Sequence, residues 1–256
     1  WMREWSNIYE SKSGERGIFN REAAKTLSPE RRNTEHNFGC NPCSEILLRD
    51  RQLCNLSEVV ARPSDGFHEL AGKIEVATIL GTLQSCLTEF RYLSSKWKAN
   101  CEEERLLGVS LTGIYDSKFL LGATPNELLK LKQVAIDTNV EWAKKLKINA
   151  STAITCVKPS GSVSQLVDSA SGIHPRYART YWRRIRNDNK DPITAALIEA
   201  GVPHEPDLYN SEATVFTFAK SAPRSAVVTD DIDAIAHLEQ WKYFAKCSGG
   251  RLRRYS

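Results

Sequence analysis

The stretch from Thr124 to Ser162 constrains the fold more than any other part of the chain. Thr124-Pro125-Asn126-Glu127 is a helix start, with a hydroxyl cap, proline in the first turn and an acidic residue after it, and the helical pattern runs to about Lys147. Just beyond lies Ala153-Ile154-Thr155-Cys156-Val157, an apolar, β-branched run of strand type cut off by Lys158-Pro159-Ser160-Gly161-Ser162. Strands that alternate with long helices in this way predict an α/β architecture with parallel strands.

The remaining elements follow from the same periodicities. Residues 1–9 read as the end of a helix, residues 11–17 have the glycine and serine content of a turn, and Trp1 reads as a start in mid-protein. A loop is expected over 33–41, with short apolar runs at 46–48 and 59–61. Ile74, Val76, Ile79, Leu80, Leu83, Cys86, Leu87 and Phe90 fall near helical spacing and predict one long helix over 67–98. Residues 106–121 read as a helix in the same way. Further strands are expected at 181–185 and 214–218, and further helices at 192–200 and 230–244.

Composition narrows the class of protein. The chain of 256 residues is long enough to bury a large core, and its 41% hydrophobic and 26% charged residues match soluble globular proteins. A net charge of +4 is too small to point to nucleic acid or a polybasic membrane contact. No apolar stretch approaches the roughly 18 residues needed to span a bilayer, and no secretory pattern opens the chain, so a soluble, cytoplasmic protein is expected. Seven cysteines, an odd number without an export signal, argue for reactive or buried thiols rather than a disulfide framework.

Three of those cysteines crowd together. Within Asn41-Pro42-Cys43-Ser44-Glu45, an amide, a thiol and a carboxylate alternate, and in an extended segment residues two apart share a face. Asn41, Cys43 and Glu45 are therefore expected to converge on one ligand, with the thiol between a hydrogen-bonding amide and a general base. Cys40, Cys43 and Cys54 also admit a thiol-based zinc or interaction module, although no fourth ligand follows at ordinary spacing. A thioredoxin-like Cys40-to-Cys43 pair would have to open a helix, whereas 44–48 reads as extended. Inert buried thiols are the plain alternative.

The turn Lys158-Pro159-Ser160-Gly161-Ser162-Val163-Ser164 brings small residues and three hydroxyls to the end of a strand, where backbone amides can approach a phosphate if a helix follows. It lacks the Gly-Lys-Ser/Thr ending of a Walker loop, and an ordinary Pro-Ser-Gly turn explains it equally well. The Arg- and aromatic-rich stretch 171–186 reads as a strand with a solvated basic face, with His174 before Pro175 anchoring a turn.

Taken together, Asn41-Pro42-Cys43-Ser44-Glu45-Ile46, Cys54-Asn55-Leu56-Ser57-Glu58 and the run from Lys158 to Pro175 resemble the catalytic subunit of ribonucleotide reductase. The stretch Ser11 to Asn20 is also similar to this family. The eleven-residue step from Cys43 to Cys54 most resembles the adenosylcobalamin-dependent class, including its triphosphate-reducing kind, because the iron-dependent class places the corresponding cysteine further on. The resemblance implies a ten-stranded α/β barrel of the ribonucleotide reductase type, with residues 1–256 forming a single segment of that catalytic barrel domain.

The resemblance also implies roles. Cys43 would be the thiyl radical that removes the ribose 3′ hydrogen, Glu45 the base on the 3′ hydroxyl, and Asn41 a hydrogen-bonding partner of the ribose hydroxyls. Cys54 would be half of the reducing dithiol, and Ser160, Gly161, Ser162, Val163 and Ser164 would bind the substrate phosphates. The implied cofactor is adenosylcobalamin. The implied partners are a ribonucleoside triphosphate, or alternatively a diphosphate, and a thioredoxin-like or dithiol reductant. A fragment of an iron-dependent reductase is the other family reading. The family's second dithiol cysteine lies on an early strand, and no cysteine precedes Cys40; the family's closing cysteine pair is replaced by lone Cys247 and the tail Gly-Gly-Arg-Leu-Arg-Arg. The chain is thus expected to be a segment of a longer or split enzyme, without turnover by itself.

Overall fold

The computed structural model describes residues 1–13 and 17–248. The expected 11–17 turn therefore lies partly, and the basic tail wholly, outside the described residues. Two helices come first: α1 (Met2–Ser11), which buries no residue, and α2 (Arg21–Leu27), capped by the Asn20 side chain accepting from the amide of Ala23 at 3.0 Å. A small antiparallel hairpin follows, β1 (Gly39–Cys40) with β2 (Leu47–Leu48), inside what the sequence predicts as loop and apolar run.

The centre of the molecule is a strand–helix–helix–strand crossover. β3 (Asn55–Val60) leads to α3 (Phe67–Gln84) and α4 (Ser95–Glu104), and the chain returns as β4 (Leu107–Thr112), parallel to β3 from Asn55 opposite Leu107 to Val60 opposite Thr112. The single helix expected over 67–98 is thus two. In α3 the hydroxyls of Thr78 and Thr82 donate to the carbonyls of Ile74 and Thr78 four residues back. Past Gln84 the amides of Cys86 and Leu87 turn to carbonyls three residues back, at 3.0 Å each, and the helix tightens and stops.

A second correction concerns 106–121, expected to be helical. Its first half is β4, followed by a 3₁₀ turn at Ile114–Asp116 and the short α5 (Lys118–Gly122). Every residue of β4 except Leu111 is buried, because β4 is covered on both faces and flanked on both edges. A strand buried on both faces shows a continuous apolar run that periodicity alone does not separate from a helix.

α6 (Pro125–Leu146) begins where expected, with a capping box in which Thr124 and Glu127 satisfy each other's backbone amides. The following run, 153–157, lies along the free edge of β4, with Val109 donating to Ile154 and Cys156 donating back to Val109. It forms one parallel bridge, Val109 to Thr155, rather than a full strand, because Leu107 takes the Ala153 carbonyl and breaks the ladder register.

Beyond α7 (Val163–Leu166), β5 (Thr180–Asp188), α8 (Pro192–Glu199), β6 (His204–Pro206) and β7 (Ala213–Ser221) form an antiparallel sheet ordered β5-β7-β6 with one helix. α9 (Ala234–Ser248) starts four residues later than expected, the preceding Thr229–Asp231 being a 3₁₀ turn. Among the seven strands of the described residues, which lie in three separate sheets of a mixed α/β fold, only β3 and β4 pair in parallel. The main core, with Leu70, Ile74, Leu107, Val109, Tyr115, Leu128, Ile154 and Phe244, fills the space between the β3–β4 pair and α3, α6 and α9. Among the described residues no helix is long and apolar enough to cross a membrane.

Candidate active site

The Asn41 to Glu45 segment is a turn, not an extended strand. Asn41 and Ile46 close it: the Asn41 amide donates to the Ile46 carbonyl at 3.2 Å, and the Ile46 amide donates to Asn41 Oδ1 at 3.1 Å. Ser44 donates its amide to the Asn41 carbonyl at 2.9 Å and takes a left-handed backbone, φ 60°. Alternation therefore does not set the directions of Asn41, Cys43 and Glu45. Asn41 uses its side-chain oxygen to hold the turn, Cys43 is exposed at the tip, and Glu45 is half-buried.

Glu45 faces inward, where Oε2 is shielded from solvent and has no hydrogen-bond partner. With Ser44, Ile46 and residues 153–157 it lines a groove of about 390 Å³ that also runs past Arg31, Lys132 and Trp241. Its charge reaches Cys54 and Cys156. Burial, and then Glu45, push the Cys54 thiol up from its ordinary range, with nearby Lys158 opposing. Cys156 is pushed up further by deep burial, and Glu45, Lys158 and Cys54 all act on it. Glu45 and Lys158 thus act electrostatically on both Cys54 and Cys156 along the central strands, and Gly108 leaves room beside Cys156. A β-carbon at Gly108 would overlap a Leu56 methyl and lie 3.1 Å from Ile46 Cδ1 and 3.4 Å from Cys156 Sγ.

The serine-rich turn begins at Lys158, whose ammonium donates to the Pro159 carbonyl at 2.8 Å. Ser160 is 6% exposed, and its Oγ is shielded and unpartnered. Gly161 has φ +62° and open space beside it, and Ser162 and Val163 are exposed. Ser164 is fully buried and donates its hydroxyl back to the Gly161 carbonyl at 2.8 Å. Of the three hydroxyls read as phosphate donors, that of Ser164 is therefore committed to the turn itself. The helix that follows is the four-residue α7.

The support beneath this turn is not visible as a sequence motif. Gly172, with φ +56°, packs its α-carbon against the Lys158 carbonyl and the Pro159 and Ser160 backbone. Its amide donates to Thr112 Oγ1 at 2.7 Å, and that hydroxyl donates to the Ala170 carbonyl at 3.0 Å. Asp116 accepts the Ala170 amide at 2.8 Å and the Arg176 guanidinium at 2.9 and 3.0 Å. The buried Asp116–Arg176 pair and Thr112 thus tie residues 168–176 to the end of β4, and through Gly172 they fix the start of the serine turn. Cys156 and Gly172 carry no spacing signal of their own; only the nearness of Cys156 to Lys158 in the sequence hints at a shared place.

The zinc reading finds no support, since among the described residues no group of three His, Cys, Asp or Glu lies together to hold a metal ion.

No family model matches the chain. Adenosylcobalamin-dependent ribonucleoside-triphosphate reductases do. That of Levilactobacillus brevis is 28% identical over 214 residues, 72% of this chain and 28% of the relative. That of Lacticaseibacillus paracasei is 29% identical over 258 residues, 86% of this chain and 33% of the relative. The chain therefore spans about three tenths of the length of these relatives. Among solved structures, a B-12 dependent (class II) ribonucleotide reductase superposes with a TM-score of 0.70 at 22% identity, over 83% of this chain and 34% of that one. The class Id ribonucleotide reductase alpha subunit of Actinobacillus ureae superposes with a TM-score of 0.61 at 14% identity, over 97% and 54%. The chain's curated homologues are thus adenosylcobalamin-dependent ribonucleoside-triphosphate reductases, and its fold matches that of a B12-dependent class II ribonucleotide reductase over the part it spans.

Proposed function

We propose that residues 1–256 are the active-site segment of a ribonucleoside-triphosphate reductase, part of a ten-stranded catalytic barrel whose other strands lie elsewhere in the whole enzyme. The observation that carries this reading is the likeness to reductases of that name over more than two thirds of the chain. The electrostatics support it, because the Cys54 thiol feels the charges of both Glu45 and Lys158, the first residue of the serine turn.

In this reading the Cys43 thiol, as a thiyl, takes the 3′ hydrogen of the ribose, and Glu45 accepts the 3′ hydroxyl proton. Shielded Oε2, with no hydrogen-bond partner in the chain, suits a base that meets its partner only when substrate arrives. Cys54, whose burial favours the thiol over the thiolate at neutral pH, holds a hydrogen for the sugar as the 2′ hydroxyl leaves as water. Ser160 and Ser162 hydroxyls and the Gly161 backbone bind the triphosphate, while the Asn41 amide nitrogen side remains the part of that residue suited to the ribose. Adenosylcobalamin would supply the carbon-centred radical that activates Cys43, and the exposed turn tip leaves the thiol open to a group of that size. A thioredoxin-like or small dithiol would regenerate the reduced cysteines, and the enzyme would act in the cytoplasm.

Calorimetric titration of a nucleoside triphosphate into the chain tests the binding half. Binding should weaken at least tenfold in a Ser160→Ala, Ser162→Ala double variant and should vanish for the unphosphorylated nucleoside. Equal affinity for the nucleoside and its triphosphate would sink the phosphate assignment.

A further inference from the structure

The turn that carries Cys43 carries a second thiol, Cys40, which no role above absorbs. Cys40 is the last residue of β1, opposite Leu47, and is half-buried, whereas Cys43 is exposed at the tip. Between them stand only Asn41 and Pro42. The Cys40 side chain does not point back along its strand: Sγ lies 3.4 Å from Ser44 Oγ, so it reaches over the turn to the residue beyond Cys43. Consecutive α-carbons are about 3.8 Å apart, and the turn is closed from Asn41 to Ser44 by a 2.9 Å hydrogen bond. Cys40, just before the turn, thus leans over it while Cys43 stands open at its tip, so the two thiols flank the same Asn41-Pro42 link.

We infer that Cys40 and Cys43 form an oxidisable dithiol, a modification site for low-molecular-weight disulfides such as oxidised glutathione. The exposed Cys43 thiolate attacks one sulfur of the small disulfide, forming a mixed disulfide and releasing one small thiolate. The Cys40 thiolate then attacks the Cys43 sulfur, the Cys40–Cys43 bond forms, and the second small thiolate leaves. Two protein thiols are oxidised, one small disulfide is reduced to two thiols, and two protons pass to the thiolates or to solvent. The site itself does not depend on the proposed activity. Its consequence does rest on that reading, because a Cys43 sulfur held in a disulfide has no hydrogen to lose, and the radical position is locked until a dithiol reopens it.

The test equilibrates the 256-residue chain with a glutathione redox buffer, blocks remaining thiols with iodoacetamide, and weighs tryptic peptides. Trypsin places Cys40 and Cys43 in the peptide 33–49 and Cys54 in a separate one, 52–73. The expected product is peptide 33–49, unalkylated and about 2 Da lighter than its dithiol form, with Cys54 alkylated on its own peptide. A Cys40→Ser chain should instead retain glutathione on Cys43. Recovery of 33–49 with both cysteines alkylated or separately glutathionylated, or cross-linked to 52–73, would overturn the inference. The peptide mass is read on the unaltered chain, so the result stands whether or not the variant folds and whether or not the chain reduces ribonucleotides.

Discussion

Gly172 lies so close to Lys158 that no β-carbon fits between them: one built on Gly172 would overlap the Lys158 carbonyl and lie 3.1 Å from Pro159 Cα. The position is doubly demanding, since its φ of +56° is also a conformation that side-chain-bearing residues rarely adopt. Gly172→Ala should destabilise the chain by about 1–3 kcal/mol and push the serine turn outward. The urea midpoint reads the first effect and nucleoside-triphosphate affinity the second. Unchanged affinity in a folded Gly172→Ala protein would show that the turn is not held from below.

The Arg176–Asp116 pair is a second support, with side chains 4% and 3% exposed. Removing one partner leaves the other's charge buried and uncompensated. Arg176→Ala should cost about 3–5 kcal/mol, and Asp116→Asn combined with Arg176→Met should cost less than Arg176→Ala alone. Urea unfolding of these two variants measures this; a double variant at least as destabilised as Arg176→Ala would mean that the two side chains do not act as a pair.

The uneven legibility of this protein has a physical pattern. α6 was readable because its signals are local: Thr124, Pro125 and Glu127 cap the helix using atoms within three residues. β4 was not, since Leu107 to Thr112 is enclosed on both faces by partners distant in sequence, and enclosure erases the alternation that marks a strand. The same division runs through the candidate site. Cys43, Glu45, Cys54 and the serine turn stood out as motifs, but the inward position of Glu45 comes from a left-handed Ser44 that no residue type announces. Cys156 and Gly172 enter only because the strand run 153–157 and the 168–176 segment are laid against β4 by long-range hydrogen bonds.

Acid should unfold the chain partly through Glu104. Burial opposes its ionisation, but hydrogen bonds and charge from Arg32, with Gln52 and Arg49 adding, hold the carboxyl below the ordinary range. A carboxyl lowered in the folded state contributes stability that is fully present above its unfolded value of about 4.3. That contribution is lost as pH falls through the lower folded value. Stability measured by urea unfolding should be flat near neutrality and fall below about pH 4.5. In Glu104→Gln this acid slope should shrink, at the cost of lower stability at pH 7; an identical slope in the variant would remove Glu104 from the account.

Thiol reactivity should sort the cysteines by position. Cys43 and Cys86 are exposed, while Cys101, Cys156 and Cys247 are buried, each with its thiol pushed up chiefly by burial. Iodoacetamide at pH 8, followed by peptide mass, should label Cys43 and Cys86 first, Cys54 more slowly and Cys156 last. Early labelling of Cys156 would mean that the run 153–157 leaves β4 in solution.

In the whole reductase, the assigned roles separate kinetically. Cys43→Ser should abolish reduction, because a hydroxyl cannot replace the thiol as hydrogen-atom acceptor and donor, while nucleotide binding persists. Glu45→Gln removes a general base, an effect of about 10²- to 10⁴-fold, and should lower kcat while leaving KM near its original value. Ser160→Ala with Ser162→Ala should do the reverse, raising KM with kcat largely kept, since hydroxyls on remote phosphates bind ground state and transition state alike. Steady-state rates on the full-length enzyme decide among these. A Glu45→Gln enzyme that loses affinity but not kcat would exchange the roles of the turn and the carboxylate, and with them the direction in which the substrate lies across the ends of β3 and β4.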